Sequence, residues 1–302
     1  MSETFQIISD SSCDLPEELT RKQNIKVVPF YVSFDDECYE KEIEEIEIRD
    51  FYKRMVDNPK VFPKTSMPPV QDYINAFEPY VKEDKPVICI CISTKFSGSY
   101  QSAMNAKEMI LEDYPQAKIA VIDATVNTVL QGIYVLEAVN LRDSGMSFEK
   151  AVERLEEMKS TGRIFFTVGD MEYLKHGGRI GKVAGLAGSV LGIRPIIVLK
   201  EGEIFPGGIG RSRKSTVAKS RELLFRYLEE EGGGFDRFRL TIGYGYDYDE
   251  AVEIKNQTLQ MLQEKGYEIE DIPLFQIGAT ISVHTGPYAL GFAVIEKGLY
   301  KS

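Results

Sequence analysis

The first half of the chain alternates short, almost wholly apolar runs with segments whose apolar positions recur at helical spacing. Phe5–Ser9 is the first such run, closed by Asp10-Ser11-Ser12, and Pro16 opens a short helical stretch with Asp14 placed to cap it. Ile25–Phe34 reads as the next strand and Glu47–Val56 as a helix. Thr65-Ser66-Met67-Pro68-Pro69 then leads into the amphipathic stretch Val70–Val81. Pro86–Ser93 is continuous in apolar character, as a strand covered on both faces requires, and it runs through Thr94–Gly98 into a helix over Ser99–Tyr114. Lys118–Asp123 repeats the strand pattern, and a long helix follows from Thr128 to Arg142. Strands alternating with helices predict a parallel sheet with helices on both faces.

The second half is patterned differently. A helix over Phe148–Lys159 precedes the strand Arg163–Val168, then a glycine-rich stretch from Gly177 to Gly192 and the strand-like Pro195–Leu199. Gly202 and Glu203 predict a turn into a further short strand. Lys214–Glu230 and Glu250–Lys265 read as helices and Arg239–Tyr246 as a strand, while Glu268–Leu274, Ala279–His284 and Gly291–Glu296 follow as closely spaced strand candidates. Strands joined without helices predict a mixed or antiparallel sheet. The expected architecture is two-domain α/β: residues 1–160 form a three-layer parallel-sheet domain carrying the binding loops, and residues 161–302 a mixed-sheet α/β domain carrying an apolar slot.

Composition narrows the function. With 302 residues and 43% hydrophobic content there is ample material for such cores. A formal net charge of -11 argues against a nucleic-acid partner, since polyanions are bound by neutralising phosphates. The N-terminus lacks a basic segment followed by an apolar run, and no apolar stretch approaches the roughly 20 residues of a membrane span, so a cytoplasmic protein with at most transient membrane contact is expected. The four cysteines form no C-x-x-C pair. Cys89 and Cys91 fall on one face of a buried strand, where thiols act as small hydrophobes, and no metal or cofactor is expected.

Three hydroxyl-rich loops stand where an open parallel sheet binds ligands or where a helix opens: Asp10-Ser11-Ser12, Thr65-Ser66 and Ser97-Gly98-Ser99. Converging hydroxyls and free N–H groups suit an anion without needing a cation, although each serine taken alone also reads as a helix cap. Ser97, His284 and Asp10 are the residue types of a hydrolase triad, but no G-x-S-x-G elbow accompanies them. No Walker A loop, H-E-x-x-H or complete G-x-G-x-x-G occurs. The turn around Gly177-Gly178-Arg179-Ile180-Gly181-Lys182 is tight and basic, and the small residues Ala184 to Gly192 permit close packing or leave room for a thin apolar ligand. A second basic cluster, Arg211-Ser212-Arg213-Lys214, opens a helix.

Together, Asp10-Ser11-Ser12-Cys13-Asp14, Lys64-Thr65-Ser66-x-Pro68, Ser97-Gly98-Ser99, Leu174-Lys175-x-Gly177-Gly178-Arg179-Ile180 and His284-x-Gly286-Pro287 make the chain resemble, over essentially its whole length, the DegV family of bacterial fatty-acid-binding proteins. The resemblance implies one long-chain fatty acid buried between two domains, with no other cofactor. It implies that the carboxylate is held by Thr65, Ser66, Ser97 and Gly98, with His284 at the same polar end. Arg211 and Arg213 would lie near the ligand's entrance. Arg179, with Lys182 beside it, would contact an ATP-dependent fatty-acid kinase that phosphorylates the carried acid to an acyl phosphate. The chain would then be a monomeric carrier subunit and not itself an enzyme. The rival readings are a kinase-independent lipid sensor and a serine esterase or acyl-transfer enzyme using Ser97 and His284. Two positions depart from the family pattern: Met67 stands where glutamine is frequent, and Tyr288 where glycine follows Gly-Pro, its ring either crowding the polar end or turned outward.

Overall fold

The computed structural model describes residues 4–186, 194–232 and 234–300. In the first half the chain forms β1 (Gln6–Asp10), α1 (Glu17–Lys22), β2 (Ile25–Val28), β3 (Tyr31–Ser33), β4 (Glu40–Lys41), α2 (Ile48–Asp57), β5 (Lys64–Ser66), α3 (Val70–Lys82), β6 (Val87–Cys91), α4 (Ser99–Asp113), β7 (Ile119–Asp123), α5 (Thr128–Asp143) and α6 (Phe148–Met158). In the second half it forms β8 (Arg163–Thr167), α7 (Glu172–His176), β9 (Arg194–Lys200), β10 (Glu203–Gly210), α8 (Arg213–Glu231), α9 (Gly234–Arg237), β11 (Phe238–Tyr244), α10 (Tyr248–Glu264), β12 (Leu274–Gln276), α11 (Ala279–Thr285) and β13 (Leu290–Glu296).

The α/β architecture follows the hydrophobic pattern. A parallel sheet runs β2-β1-β6-β7, and a mixed sheet runs β10-β9-β8-β13-β11-β12. Among the described residues of the mixed sheet, only the β11–β12 pairing is parallel. Strand β6 is apolar throughout because both of its faces are covered. Val87, Cys89 and Cys91 pack in the cluster formed with α3 and α4, while Ile88 and Ile90 pack in the cluster that contains α5. The Cys89 and Cys91 sulfurs lie 3.7 Å apart on that shared face, buried and unbridged.

Helix α5 joins the two sheets. Nearly every residue from Thr128 to Leu141 is buried. It lies against β1 on one side and β11 and β13 on the other, so one continuous apolar cluster spans both halves. On β13 the alternation is explicit. Leu290, Phe292 and Val294 pack with α8 and α10 residues, and Ala289, Ala293 and Ile295 face the α5 side. The space beyond the N-terminal end of α5, between the sheets, is where the site forms.

The structure corrects four local expectations. Ile25–Phe34 is two strands: after Pro29 the chain leaves the parallel sheet and β3 joins a small antiparallel sheet, β4-β3-β5, placing Thr65 opposite Val32. Asp14 does not cap α1, whose N-cap is Pro16; Asp14 adopts φ 51 at the end of the 3-10 turn Ser11–Cys13 and is buried. Ala279–His284 is helical, although its β-branched residues favour a strand, because the buried Glu42 carboxylate takes up the Thr280 N–H at 2.9 Å and the Thr280 hydroxyl at 2.7 Å. Glu268–Leu274 is mostly irregular and pairs only from Leu274.

Candidate functional site

A cavity of about 180 Å3 lies between the sheets; about 10–15 Å3 would hold a single water. Phe30, Ile92 and Val129 from the first half and Ile164, Phe166 and Leu290 from the second supply apolar wall, so the slot belongs to both halves rather than to residues 161–302 alone. Polar groups gather at Thr65, Ser97, His284 and Thr285, with Gly98 and Arg179 beside them.

Each member of this polar group is placed by a different element. Thr65 sits in the middle of β5, so its side chain points opposite to those of Lys64 and Ser66. Thr65 borders the cavity, whereas Ser66 is exposed and does not, which removes the Ser66 side chain from the expected set. Ser97 follows β6, and its hydroxyl accepts the Ser99 N–H at 3.2 Å; the residue is a helix-opening group and a cavity group at once. His284, at the end of α11, places Nε2 3.1 Å from the Thr65 hydroxyl oxygen.

Among the described residues Nδ1 has no hydrogen-bond partner, and a Cβ on Gly177 would overlap it. The Thr65 hydroxyl and Nε2 share one hydrogen bond whose direction follows the tautomer; with the hydrogen on Nε2 the ring donates, and the Thr65 hydroxyl proton is left for an acceptor in the cavity. Burial first, then the positive charge of Arg179, lowers the His284 pKa to about 4, so the ring is neutral.

Arg179, expected as a partner contact, also borders the slot. Its Nε and Nη2 donate to the Phe96 carbonyl at 3.1 and 3.0 Å, and Nη1 donates to the Gly177 carbonyl at 2.7 Å. These bonds tie the glycine turn to the loop carrying Ser97, and the guanidinium borders both the cavity and a surface groove of about 620 Å3. Lys182 lines that groove, paired with Glu203. The remaining basic candidates lie elsewhere. Arg213 holds both Glu250 oxygens and the Tyr288 carbonyl at 2.8 Å each, an anchor between helices, and exposed Arg211 does not border the cavity. Ala184 and Gly185 do not line it either, and 187–193 fall outside the described residues. Among the small lining residues are Gly243 and Gly291, directly paired across β11 and β13.

Asp10-Ser11-Ser12 is structural. Asp10 accepts from Ser12, Ser99, the Ile92 N–H and Gln131, all within 3.0 Å, and burial pushes its carboxyl up. It is not paired with His284, and with no acid on Nδ1 the hydrolase triad is not assembled. Two buried acids, Asp14 and Glu42, stand behind the cavity wall. Thr128 donates to Asp14, while Ser11 and Thr280 donate to Glu42; both threonines border the cavity. Asp14 Oδ1 and Glu42 Oε1 close on the same point, 2.5 and 2.6 Å from where a Cβ of Gly278 would be. Burial, then the charge of Glu42, pushes Asp14 well above the usual carboxylate range, and burial raises Glu42 as well. Glu42 gave no sequence signal because it sits in the acidic run Glu40–Glu47, which reads as solvated surface.

Met67 lies across the mouth, 45% exposed, and a Cβ on Gly98 would come 2.7 Å from its sulfur. Tyr288 turns outward, 44% exposed against Gly169, and leaves the polar end uncrowded. Among the described residues no His, Cys, Asp or Glu side chains group as a metal site, and no helix is long and apolar enough to cross a membrane.

Known proteins share this fold. A stearic-acid-binding protein from Eubacterium ventriosum has a structure similar to this one at a TM-score of 0.92 and 44% identity, with 97% of this chain and 99% of that one covered. A DegV family protein from Thermus thermophilus, described for its fatty-acid binding, matches at a TM-score of 0.85 and 28% identity, covering 97% and 99%. In sequence, a DegV domain-containing protein of Clostridium perfringens is 31% identical over 292 residues, 97% of this chain and 99% of its own. The profile of a family described as uncharacterised protein, DegV family, matches residues 4–297. With that profile spanning nearly the whole length and the Thr65, Ser97 and Gly177-Gly178-Arg179 motifs meeting at one cavity, the chain belongs to the DegV family.

Proposed function

We propose that this protein binds one long-chain fatty acid between its two α/β halves and presents the carboxylate to an ATP-dependent fatty-acid kinase, which converts it to an acyl phosphate. The observation that carries the reading is the Thr65–His284 pair beside Ser97 at one end of an otherwise largely apolar cavity. The fatty-acid ligands of the similar structures from Eubacterium ventriosum and Thermus thermophilus support it. A sixteen-carbon acid has about 14 methylenes, so burial gains roughly 11 kcal/mol before association costs of about 4 kcal/mol or more. The tail thus dominates affinity while the head group is only oriented.

Presentation to a kinase is supported by the chemistry of that end. Hydroxyls and a neutral imidazole line that end, and the cation beside it, Arg179, already donates to the Phe96 and Gly177 carbonyls, which favours orienting a carboxylate over locking it in a buried ion pair. The groove that Arg179 and Lys182 line adjoins the same loop, which suits a partner acting on the head group. Native mass spectrometry and organic extraction of protein made in bacteria test the ligand: a fatty acid of roughly 14 to 18 carbons is expected. Protein that is empty, or that carries a nucleotide, overturns the reading.

A further inference from the structure

Three methionines are exposed among the described residues, Met67, Met109 and Met261, and of these only Met67 borders the cavity. Its place is set by the backbone. Met67 follows β5 directly, and alternation along an extended chain puts it on the same side as Thr65 and opposite Ser66. Thr65 and Met67 both border the cavity and Ser66 does not, as that alternation requires. Pro68 and Pro69 come next, and a residue before proline is confined to extended backbone, which keeps the side chain aimed across the opening. On the far side the thioether rests on Gly98: a Cβ there would meet the Met67 sulfur at 2.7 Å and its methyl carbon at 3.4 Å. Met67 therefore spans from the Thr65 strand to the Ser97 loop, over the polar end of the slot, while 45% of the residue faces solvent.

A thioether is apolar and flexible, which suits a plug that bends aside for an acyl chain. Two-electron oxidation changes that character. The sulfur lone pair attacks one oxygen of hydrogen peroxide, an S–O bond forms, the O–O bond breaks and water leaves; the sulfur is oxidised to the sulfoxide and the peroxide is reduced. The new oxygen is polar and accepts hydrogen bonds without a proton to give. Between the Thr65 strand and the Ser97 loop, it competes with a carboxylate for the same hydroxyl donors. We propose that Met67 is an oxidation site at the mouth of the slot, through which a peroxide weakens retention of the fatty acid. A dithiol reverses the step by returning two electrons: it becomes a disulfide, and the oxygen leaves as water. This inference rests on the fatty-acid reading and adds a control on release to it.

The test titrates the delipidated whole chain with stearic acid before and after exposure to hydrogen peroxide, with peptide mass spectrometry reading the sulfoxide fraction at each methionine. Wild-type affinity should fall by about tenfold or more, the effect of losing a hydroxyl bond to a charged group. The loss should track the sulfoxide fraction at Met67 and not that at Met109 or Met261. Methionine sulfoxide reductases for both epimers, with dithiothreitol, should restore affinity. Met67→Leu, whatever its starting affinity, should not respond to peroxide; exposed Cys38 remains in that variant, so an effect of thiol oxidation would persist there. Should Met67→Leu fail to fold, the dependence of wild-type affinity on the Met67 sulfoxide fraction decides the matter. An equal loss in Met67→Leu, unchanged affinity after Met67 is fully oxidised, or a Met67 left intact while Met109 and Met261 react overturns the proposal and leaves the fatty-acid reading standing. Failure of the untreated wild-type protein to bind stearic acid overturns both.

Discussion

Gly177 touches the ring of His284 so closely that any side chain at Gly177 would displace the imidazole. The first glycine of the Gly-Gly-Arg-Ile turn is therefore part of the head-group site, because it holds the ring whose Nε2 faces Thr65. Its neighbour Gly178 serves a different need: it adopts φ 66 and has open space around it. Gly177→Ala should cost fatty-acid affinity by roughly ten- to a hundredfold, the loss of one or two oriented hydrogen bonds to a charged group. Gly178→Ala should cost about 1 kcal/mol of stability through its backbone and leave affinity nearly unchanged. Competition binding alongside chemical unfolding separates the two, and equal affinity losses would reject the distinction.

Thr65 and Ser97 differ in what else they do. Among the described residues the Thr65 hydroxyl pairs only with His284, so Thr65→Val should keep the fold and weaken binding by roughly 1.5–3 kcal/mol. Ser97 also accepts the Ser99 N–H, so Ser97→Ala should lose binding and, in addition, about 1 kcal/mol of stability in the ligand-free protein. Isothermal titration with thermal unfolding reads both quantities. A Ser97→Ala protein that loses stability but binds normally would leave Ser97 as a helix-opening residue only.

Two buried groups should make stability depend on pH in opposite senses. His284 titrates at about 4 in the folded protein and near 6.5 unfolded, so its contribution is complete above about 6.5 and is lost as pH falls towards 4. Asp14 is shifted the other way. The folded state holds its proton more tightly than the unfolded one, so stability is greatest below the unfolded value of about 3.9 and falls as pH rises towards the elevated folded value. His284→Gln should flatten the acidic limb of a stability–pH profile and Asp14→Asn the opposite slope. Chemical unfolding across the pH range tests both, and unchanged limbs in either variant would mean that another group titrates.

The periodicity of the chain revealed the sheets because α5, β6 and β13 are buried on defined faces. It failed where tertiary contacts overrode local preference. Ala279–Thr285 has strand-like composition, yet a buried Glu42 far away in sequence receives its first turn, and no local pattern announces that. Thr65, Ser97 and His284 were legible as hydroxyl loops and a histidine before Gly-Pro. The Asp10-Ser11-Ser12 loop looked equivalent but turned inward, since burial decides whether a hydroxyl serves the ligand or the core.

Arg179 links the mouth of the slot to the surface, and its substitution should separate binding from presentation. The guanidinium secures the Phe96 carbonyl, one residue before Ser97, so Arg179→Ala should loosen that loop and reduce fatty-acid affinity, but by less than Thr65→Val does. Phosphorylation of the bound acid by a cognate kinase with ATP should fall much further, because the groove loses a fork able to grip a carboxylate or phosphate in two places. Arg179→Lys should recover charge without the fork and restore turnover only in part. Lys182→Ala should spare affinity entirely, since Lys182 lines the groove and does not border the cavity. The decisive measurement is kinase turnover at saturating fatty acid, where weaker binding no longer limits the rate. Turnover by Arg179→Ala equal to wild type under those conditions would remove the turn from partner recognition and favour a lipid sensor that acts without a kinase.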